Sequence, residues 1–232
     1  MELKNESGND VKSWEEVVLI YNSALKEIGT KLEILNDEFQ HVHQYNPIEH
    51  IKSRIKTPQS IVKKLKKHGY ESTIRNMVEY VNDIAGVRVI CSFTSDIYRI
   101  AEMLINQSDI KVLSVKDYIL HPKASGYKSY HLIITVPIFL SDRIVDTKVE
   151  IQIRTVAMDF WASLEHKIHY KFEGNAPEHI KRELVECARM VSELDAKMLS
   201  LNEQVQEFAT ENHCGQELSD DSQGDVPQRL HA

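Results

Sequence analysis

Apolar side chains recur at alternating spacings of three and four residues from Trp14 to Val42. In a helix this spacing places them along one face, so the pattern predicts a single long amphipathic helix. Further on, Pro47 predicts a short helical segment that runs through Ile51, and Pro58 predicts the first turn of a helix ending near residue 68. Residues 1–10 are polar, and we expect them to be flexible.

The hydrophobic period changes to two in the middle of the chain. This alternation predicts strands over 87–93, 110–115, 130–139 and 148–155, with a helix over 95–107 between the first two. Because the strands are mixed with helices, the order predicts a mixed sheet with helices packed on it, which is an α+β fold.

Two more helices are predicted after the last strand. The first covers 156–171, and the second begins after Pro177 and keeps a heptad spacing over 180–208. A seam of that length needs a partner, which is either the N-terminal helix of the same chain or a helix of a second subunit. The composition then becomes polar, so we expect one domain over 11–208 and a disordered tail over 209–232.

Composition and charge exclude several classes of protein. The 232 residues, 42% of them apolar, allow one substantial core, and the net charge of −7 argues against a protein that coats nucleic acid. The three cysteines lack a CxxC spacing, which is typical of reduced thiols in a cytoplasmic protein. Neither a secretion signal nor an apolar run near the ~18 residues of a membrane span is present.

A basic run without acidic residues covers 52–67. Such runs are commonly solvated helix faces. Here a stretch expected to be extended is followed by side chains at helical spacing, and guanidinium and ammonium groups near a helix N-terminus suit a polyphosphate. The pattern therefore favours a phosphate site, with these candidate residues: Arg54, Lys56, Ser60, Lys64 and Lys67.

Two carboxylates precede or lie within predicted strands. Asp83 comes just before one strand, and Glu150 shares the polar face of another with Gln152 and Arg154. A strand face that carries an acid, an amide and a guanidinium in succession indicates the floor of a cleft. Two carboxylates on neighbouring strands suit Mg²⁺ bound to nucleotide phosphates, although Asp83 alone would serve equally well as a cap or turn residue.

The loop over 121–131 combines a glycine with aromatic and basic side chains. Tyr127 can stack on a base, and Lys123, Lys128 and His131 can reach phosphate or ribose. A plain surface loop remains an alternative. The chain has no GxxxxGK[ST] or GxGxxG motif, so it does not bind nucleotides through a P-loop or a Rossmann turn.

In this order the motifs resemble those of RelA/SpoT-type synthetases, and specifically the stand-alone small alarmone synthetases. The resemblance covers about residues 45–200. Its motifs are Arg54-x-Lys56-x-x-x-Ser60, Asp83-Ile-Ala-Gly-x-Arg88, Ser125-Gly-Tyr-x-Ser-x-His131, Glu150-Ile-Gln-Ile-Arg-Thr155 and Phe160-Trp161-Ala-x-x-Glu165-His166. It implies a nucleotidyltransferase-like sheet flanked by helices, with long terminal helices. It also implies transfer of pyrophosphate from ATP to the ribose 3′-hydroxyl of GDP or GTP, which yields AMP and (p)ppGpp.

The resemblance also implies a role for each matched residue. Those expected to hold ATP are Arg54, Lys56, Ser60, Lys64, Lys67 and Arg88. Those expected to orient GDP or GTP are Lys123, Tyr127, His131 and Gln152, with Tyr127 stacked on guanine. Asp83 and Glu150 are the expected catalytic and metal-binding carboxylates: Asp83 holds Mg²⁺, while Glu150 takes the 3′-hydroxyl proton or shares the ion.

Three further expectations follow from the resemblance. The chain is short and lacks a His-Asp dipeptide, so we expect synthesis of the alarmone without its hydrolysis. Small synthetases of this type form homotetramers through their terminal helices, which gives the heptad seam a use. Asp159 stands where one subgroup has asparagine, and a carboxylate there would repel a phosphorylated effector, so we expect weak or absent product activation.

Two other functions remain open at the level of sequence. A toxic relative that pyrophosphorylates the 3′ end of tRNA would share the ATP motifs, but the acidic chain has no second basic patch for tRNA. A catalytically silent module that binds guanine nucleotides would not need both Asp83 and Glu150. The preference between GDP and GTP is not set by these motifs.

Overall fold

The computed structural model describes residues 13–172 and 176–220, without the side chains of 169, 170 and 209–220. Its elements are α1 (Trp14–His43), β1 (Ile48–Ile55), α2 (Pro58–Lys67), α3 (Ile74–Tyr80), β2 (Ala85–Cys91), α4 (Thr94–Ile105), β3 (Lys111–Asp117), β4 (Tyr130–Phe139), β5 (Ile144–Thr155), α5 (Val156–Lys171) and α6 (Glu178–Asp220). The strands form one sheet in the order β1-β2-β5-β4-β3. Strands β2 and β5 are parallel, and the other neighbours are antiparallel. The predicted α+β fold with a mixed sheet is confirmed.

Alternation along the strands gives the sheet one apolar and one polar face. Val87, Val89, Ile151 and Ile153 are buried in the core, together with the apolar stripe of α1 and side chains of α4. Ser13 caps α1 by accepting a hydrogen bond from the backbone N–H of Glu16 at 3.2 Å. The polar side chains of the opposite face are not part of this core.

Strand β1 corrects the prediction of a helical segment after Pro47. A β-bulge between Ile48 and His50 adds a residue to this edge strand, which pairs with β2. Because of this extra residue, Ile48 and Ile51 project from the same face of the strand although they are three positions apart in the sequence. A helix would also place residues at this spacing on one face. Tertiary pairing with β2, rather than local periodicity, determines the structure here.

The C-terminal helix α6 packs on α5 and α4 and forms no paired seam with α1 among the described residues. The stripe of α1 is instead used in the core of its own sheet. Toward its C-terminal end α6 exposes the seam residues to between 45% and 66%: Leu194, Met198, Leu201, Val205 and Phe208. The alternative in which α1 of the same chain pairs with this stripe is therefore wrong.

Helix α6 also continues through 209–220, where the composition had predicted disorder. The rest of the predicted tail, 221–232, and the N-terminal residues 1–10 lie outside the described residues. Cys91 is buried and Cys187 exposed, both as free thiols, and the side chain of Cys214 lies outside the described residues. None of the described helices combines the length and apolar character that crossing a membrane requires.

Candidate active site

The register of the strands brings three of the predicted motifs together on the polar face. Arg54 of β1 lies opposite Gly86 of β2, and Gly86 lies opposite Glu150 of β5. Residues directly opposite each other project from the same face of a sheet. The next row in register continues the surface across four strands: Lys52, Arg88, Gln152 and His131.

A cavity of about 200 Å³ opens over β1, β2 and β5. A Cβ atom added at Gly86 would contact the side chain of Arg54 at 3.7 Å, so glycine leaves the space beside this guanidinium open. The cavity combines cations with a carboxylate and an amide, as an anionic ligand with a reacting hydroxyl requires. Its lining is Lys52, Ser53, Arg54, Gly86, Val87, Arg88, Glu150 and Gln152.

Asp83 lies before β2, outside that lining, and both of its carboxylate oxygens accept from lysines. Lys56 Nζ lies 2.6 Å from Oδ2, and Lys64 Nζ lies 2.8 Å from Oδ1. Burial would raise the pKa of Asp83, but the two ammonium groups outweigh burial and hold this pKa below its usual value. The carboxylate is therefore ionised, and both of its oxygens are paired with lysine.

The donor set around Asp83 fits a magnesium ion only when phosphate is also present. No group of three or more His, Cys, Asp or Glu side chains converges within the part of the chain that the structure describes. Mg²⁺ is commonly held by one or two carboxylates and completed by phosphate oxygens and water. Asp83 and Glu150 would suit that arrangement, in which phosphate oxygens complete the coordination.

The remaining predicted ATP residues lie on α2. Thr57 caps this helix, and the Ser60 hydroxyl lies 2.9 Å from Thr57 Oγ1. Ser60 and Lys67 are exposed and do not line the cavity, whereas Lys64 reaches Asp83. The predicted ridge is therefore present, but only part of it faces the polar surface of the sheet.

Lys123 lies beside the aromatic rings of the predicted acceptor loop. Its Nζ is 4.6 Å from the ring centroid of Tyr127 and 4.7 Å from that of Tyr118. In this cation–π arrangement the ammonium group takes the place where a base was expected to stack on Tyr127. Tyr118 was not predicted, because a single aromatic residue after a strand carries no distinct signal.

His131 is held as a neutral imidazole. Its Nε2 lies 2.8 Å from the hydroxyl of Tyr127, and its Nδ1 lies 3.8 Å from Glu150 Oε1. Burial first, and then the positive charges of Arg154, Lys123 and Lys116, lower the pKa of His131 to about 3. It can therefore exchange hydrogen bonds with a ligand without changing charge near neutral pH.

We expect this depressed pKa to make the protein less stable in mild acid. Unfolded histidine titrates near pH 6.5, so below that pH the unfolded chain binds a proton that the folded chain refuses. Between pH 7 and pH 5 the wild type should lose about 1–2 kcal/mol of unfolding free energy relative to His131→Gln. Urea unfolding at both pH values measures this difference. His50→Gln, at an exposed position of β1, is the control, and parallel pH dependence of wild type and His131→Gln would contradict the expectation.

A chain of hydrogen bonds runs along β5. Glu150 Oε2 accepts from Gln152 Nε2 at 2.9 Å, and Gln152 Oε1 accepts from Arg154 Nη2 at 3.0 Å. The same Nη2 donates to the hydroxyl of Tyr127 at 2.6 Å. Arg154 therefore links the carboxylate strand to the acceptor loop, a role that its position on the polar face of β5 indicated but that we did not predict.

Asp159, in the first turn of α5, contacts two arginines of this surface. Its Oδ1 is 3.0 Å from Arg154 Nη1 and 3.2 Å from Arg88 Nη1. Because this carboxylate is neutralised by guanidinium groups, it is not a free negative charge that would repel an effector. The physical basis of the predicted weak product activation is therefore wrong, while the response to product stays a prediction.

The acceptor loop rests directly on α6. Tyr127 packs against a small cluster that includes Trp161 and Ala188, and Trp161 Nε1 donates to the backbone carbonyl of Leu184 at 3.0 Å. Gly126 has a φ of +87°, and a Cβ atom added to it would lie 2.5 Å from the Cβ of Ala188. Lys128 lines the small gap against α6 rather than the cavity, and its reach to phosphate stays a prediction.

We expect Gly126→Ala to weaken binding of the acceptor nucleotide about tenfold, because the loop must move away from α6 and adopt strained backbone. Affinity for an ATP analogue should stay within about twofold. Calorimetric titration of GDP and of the analogue measures both values. Adding Ala188→Gly should restore part of the GDP affinity by removing the clash. Gly29→Ala, where an added Cβ meets no atom within 4 Å, is the control. Unchanged GDP affinity in Gly126→Ala would contradict this account.

Comparison with known proteins gives consistent matches over most of the chain. The sequence model of a family described as "Region found in RelA / SpoT proteins" matches residues 53–175. GTP pyrophosphokinase YwaC of Bacillus subtilis is 48% identical over 195 residues, which cover 84% of this chain and 93% of that protein.

Two solved structures have the same architecture. The crystal structure of small alarmone synthetase 2 from Bacillus subtilis matches with a TM-score of 0.75 and 46% identity, over 82% of this chain and 98% of that chain. Small alarmone synthetase 1 from the same organism, bound to its product pppGpp, matches with a TM-score of 0.77 and 35% identity, over 83% and 98% of the two chains.

Proposed function

The chain belongs to the RelA/SpoT family, and we propose that it transfers pyrophosphate from ATP to the ribose 3′-hydroxyl of GDP or GTP in the stringent response. AMP leaves, and ppGpp or pppGpp is formed. The observation that carries this proposal is the cavity in which Glu150 lies among cations on the donor side and beside the acceptor loop. The similar proteins are named as GTP pyrophosphokinase and as alarmone synthetase, one of them with pppGpp bound.

On the donor side, the basic groups hold the ATP phosphates. Arg54 and Arg88 line the cavity, and Lys56 and Lys64 lie together at Asp83. When a triphosphate enters, the two ammonium groups turn from the carboxylate to phosphate oxygens, because the ligand carries more negative charge than Asp83. Ser60 and Lys67 extend the same basic helix α2 and contact the outer phosphates or solvent.

Mg²⁺ is the cofactor that this site suits. Asp83 and Glu150 would hold it together with phosphate oxygens, where the ion would neutralise the charge that develops during transfer. The protein's own cations act in the same direction, since phosphoryl-type transfer depends mainly on positioning and on stabilising charge at the phosphate oxygens.

On the acceptor side, Glu150 takes the proton from the 3′-hydroxyl. One of its oxygens is occupied by Gln152 at 2.9 Å, and the other faces His131 at 3.8 Å, which leaves room for a hydroxyl to approach Oε1. The 3′-oxygen then forms a bond to the β-phosphorus as the bond from that phosphorus to the α–β bridging oxygen breaks. AMP carries away the bridging oxygen.

Guanine binding requires Lys123 to move. We place the base on the ring of Tyr127, where the ammonium group of Lys123 lies. Tyr127 is already oriented by its hydroxyl contacts to His131 and Arg154. A displaced Lys123 would then be available for the acceptor phosphates, so one movement would open the base site and provide a cation for the ligand.

The exposed seam of α6 supports assembly into a homo-oligomer, which we propose to be a tetramer formed through the terminal helices. Five large apolar side chains at heptad positions face solvent in the single chain, and burying them against another subunit would remove that exposure. We also propose that the enzyme acts in the cytoplasm, where its nucleotide substrates occur. Light scattering of the purified protein tests the tetramer: a monomer mass would sink that part of the proposal.

The activity is tested by supplying ATP with GDP, GTP or tRNA to the purified chain and separating the nucleotides formed. AMP with GDP or GTP, and none with tRNA, is the expected result. AMP formed only with tRNA would assign the chain to the toxic relatives instead. Nucleotide binding without any AMP would leave a silent binding module. The ratio of rates with GDP and GTP gives the acceptor preference directly.

A further inference from the structure

Arg88 and Arg154 share a single carboxylate oxygen. Oδ1 of Asp159, in the first turn of α5, lies 3.2 Å from Nη1 of Arg88 and 3.0 Å from Nη1 of Arg154. Asp159 and Arg154 are largely buried, with side chains 15% and 5% exposed. Two guanidinium groups this close repel each other, and an acid between them offsets the repulsion strongly because little water screens it.

Each arginine belongs to a different side of the site. Arg88 lines the cavity assigned to ATP, while Arg154 holds the hydroxyl of Tyr127 and the amide of Gln152 on the acceptor side. Asp159 thus contacts both halves of the reaction through one atom. It is not part of the cavity lining, so it acts on the proposed ATP site only through Arg88.

The orientation of Arg88 depends on this contact to an unusual degree. Its Nε is buried and has no hydrogen-bond partner among the described residues, and its Nη1 forms an ion pair with Asp159. Burial first, and then the neighbouring charge of Arg154, lower the pKa of Arg88. Removing the carboxylate would therefore take away the ion pair that orients this guanidinium.

We propose that Asp159 is a positioning residue that sets both arginines at once and thereby couples the ATP side to the acceptor side. This inference rests on the proposed function and adds to it a group that acts through other residues. Through the carboxylate of Asp159, Arg88 is aimed at the donor and Arg154 keeps Tyr127 in place for the base. Loss of the charge releases both.

Asp159→Asn is the direct test, because it keeps the shape and an oxygen acceptor but removes the charge. We expect affinity for a non-hydrolysable ATP analogue and for GDP, each titrated alone by calorimetry, to fall about tenfold. Asp142→Asn, which removes an exposed carboxylate at the far end of the β4–β5 hairpin, should leave both affinities unchanged. Values for Asp159→Asn within about twofold of wild type would overturn the proposal.

A double-mutant cycle separates positioning from a general structural effect. In an Arg154→Gln background, Asp159→Asn should lower GDP affinity by less than about threefold while still lowering affinity for the ATP analogue. In an Arg88→Gln background, Asp159→Asn should lower affinity for the ATP analogue by less than about threefold while still lowering GDP affinity. If Asp159→Asn lowers each affinity by the same factor in the wild-type, Arg154→Gln and Arg88→Gln proteins, Asp159 does not act through the arginines. If Asp159→Asn does not fold, Asp159→Glu replaces it: retained charge should keep both affinities within about threefold of wild type, and a tenfold loss would overturn the proposal.

Failure of the inference and failure of the proposed function are distinguishable. If the wild type forms no AMP with GDP or GTP, the function fails whatever the binding cycle shows. If the wild type forms AMP and the cycle is additive, only the role of Asp159 fails.

Discussion

Glu150→Gln should lower the rate of AMP release from ATP and GDP by about 10²–10⁴-fold. The amide has the size of the carboxylate and can still hydrogen-bond to Gln152, but it cannot accept the 3′-hydroxyl proton or ligate a metal as strongly. The affinities for GDP and for an ATP analogue should change by less than about fivefold, because Glu150 is proposed to act in the transition state. Single-turnover AMP release and calorimetric titration measure the two effects separately.

The matched control for this variant is Asp146→Asn. Asp146 lies on the same strand β5, where its carboxylate is exposed and pairs with Lys111. Its removal should leave AMP release within about twofold of wild type, as is usual for exposed ion pairs. Equal AMP release by wild type and Glu150→Gln would contradict the proposed role of Glu150, and a parallel loss of GDP affinity and rate would indicate a binding role instead.

Asp83→Asn should have the second large effect. It should lower turnover in the presence of Mg²⁺ but raise the affinity for an ATP analogue in its absence. With saturating ATP and Mg²⁺ we expect turnover to fall about 10²–10³-fold, because a proposed metal ligand is lost. Without metal, the ATP analogue should bind more tightly, by about tenfold, since Lys56 and Lys64 no longer contact a competing carboxylate at 2.6 and 2.8 Å. Titrations with and without Mg²⁺, combined with turnover, measure both changes.

Asp109→Asn is the control for that variant, because it likewise removes the carboxylate partner of a lysine, Lys31, but on another part of the fold. It should alter neither turnover nor the response to Mg²⁺. Turnover of Asp83→Asn near the wild-type rate at saturating Mg²⁺ would show that Asp83 is a structural partner of the lysines. Weaker metal-free binding would show that the lysines depend on Asp83 for their position.

Local periodicity was sufficient for much of the fold. The alternation over Tyr130–Phe139 and the helical pattern over Val156–Lys171 gave those elements with their observed bounds. Period-two alternation also placed Glu150, Gln152 and Arg154 on one face, where they form a hydrogen-bonded chain. A side chain's face depends only on its own strand, so it can be read locally. Local periodicity did not identify the start of β1, because its bulge places apolar residues at a spacing that is also found in helices.

Contacts between segments distant in the sequence could not be predicted from local patterns. Asp159 was interpreted as a free negative charge, and its meeting with Arg88 and Arg154 depends on how β2, β5 and α5 pack together. The sequence shows that the run around Lys56 is basic, but the ion pair between Lys56 and Asp83 depends on the fold. The roles of these residues in binding and catalysis remain predictions.

The central claim is transfer of a pyrophosphoryl group by attack at the β-phosphorus of ATP, and the fate of labelled phosphorus tests it most directly. Purified enzyme is incubated with GDP and ATP carrying label at the α, β or γ position, and the products are separated. The account predicts that α-label stays entirely in AMP, whereas β- and γ-label both appear in the guanosine product. Movement of γ-label alone, with ADP as the other product, would contradict it.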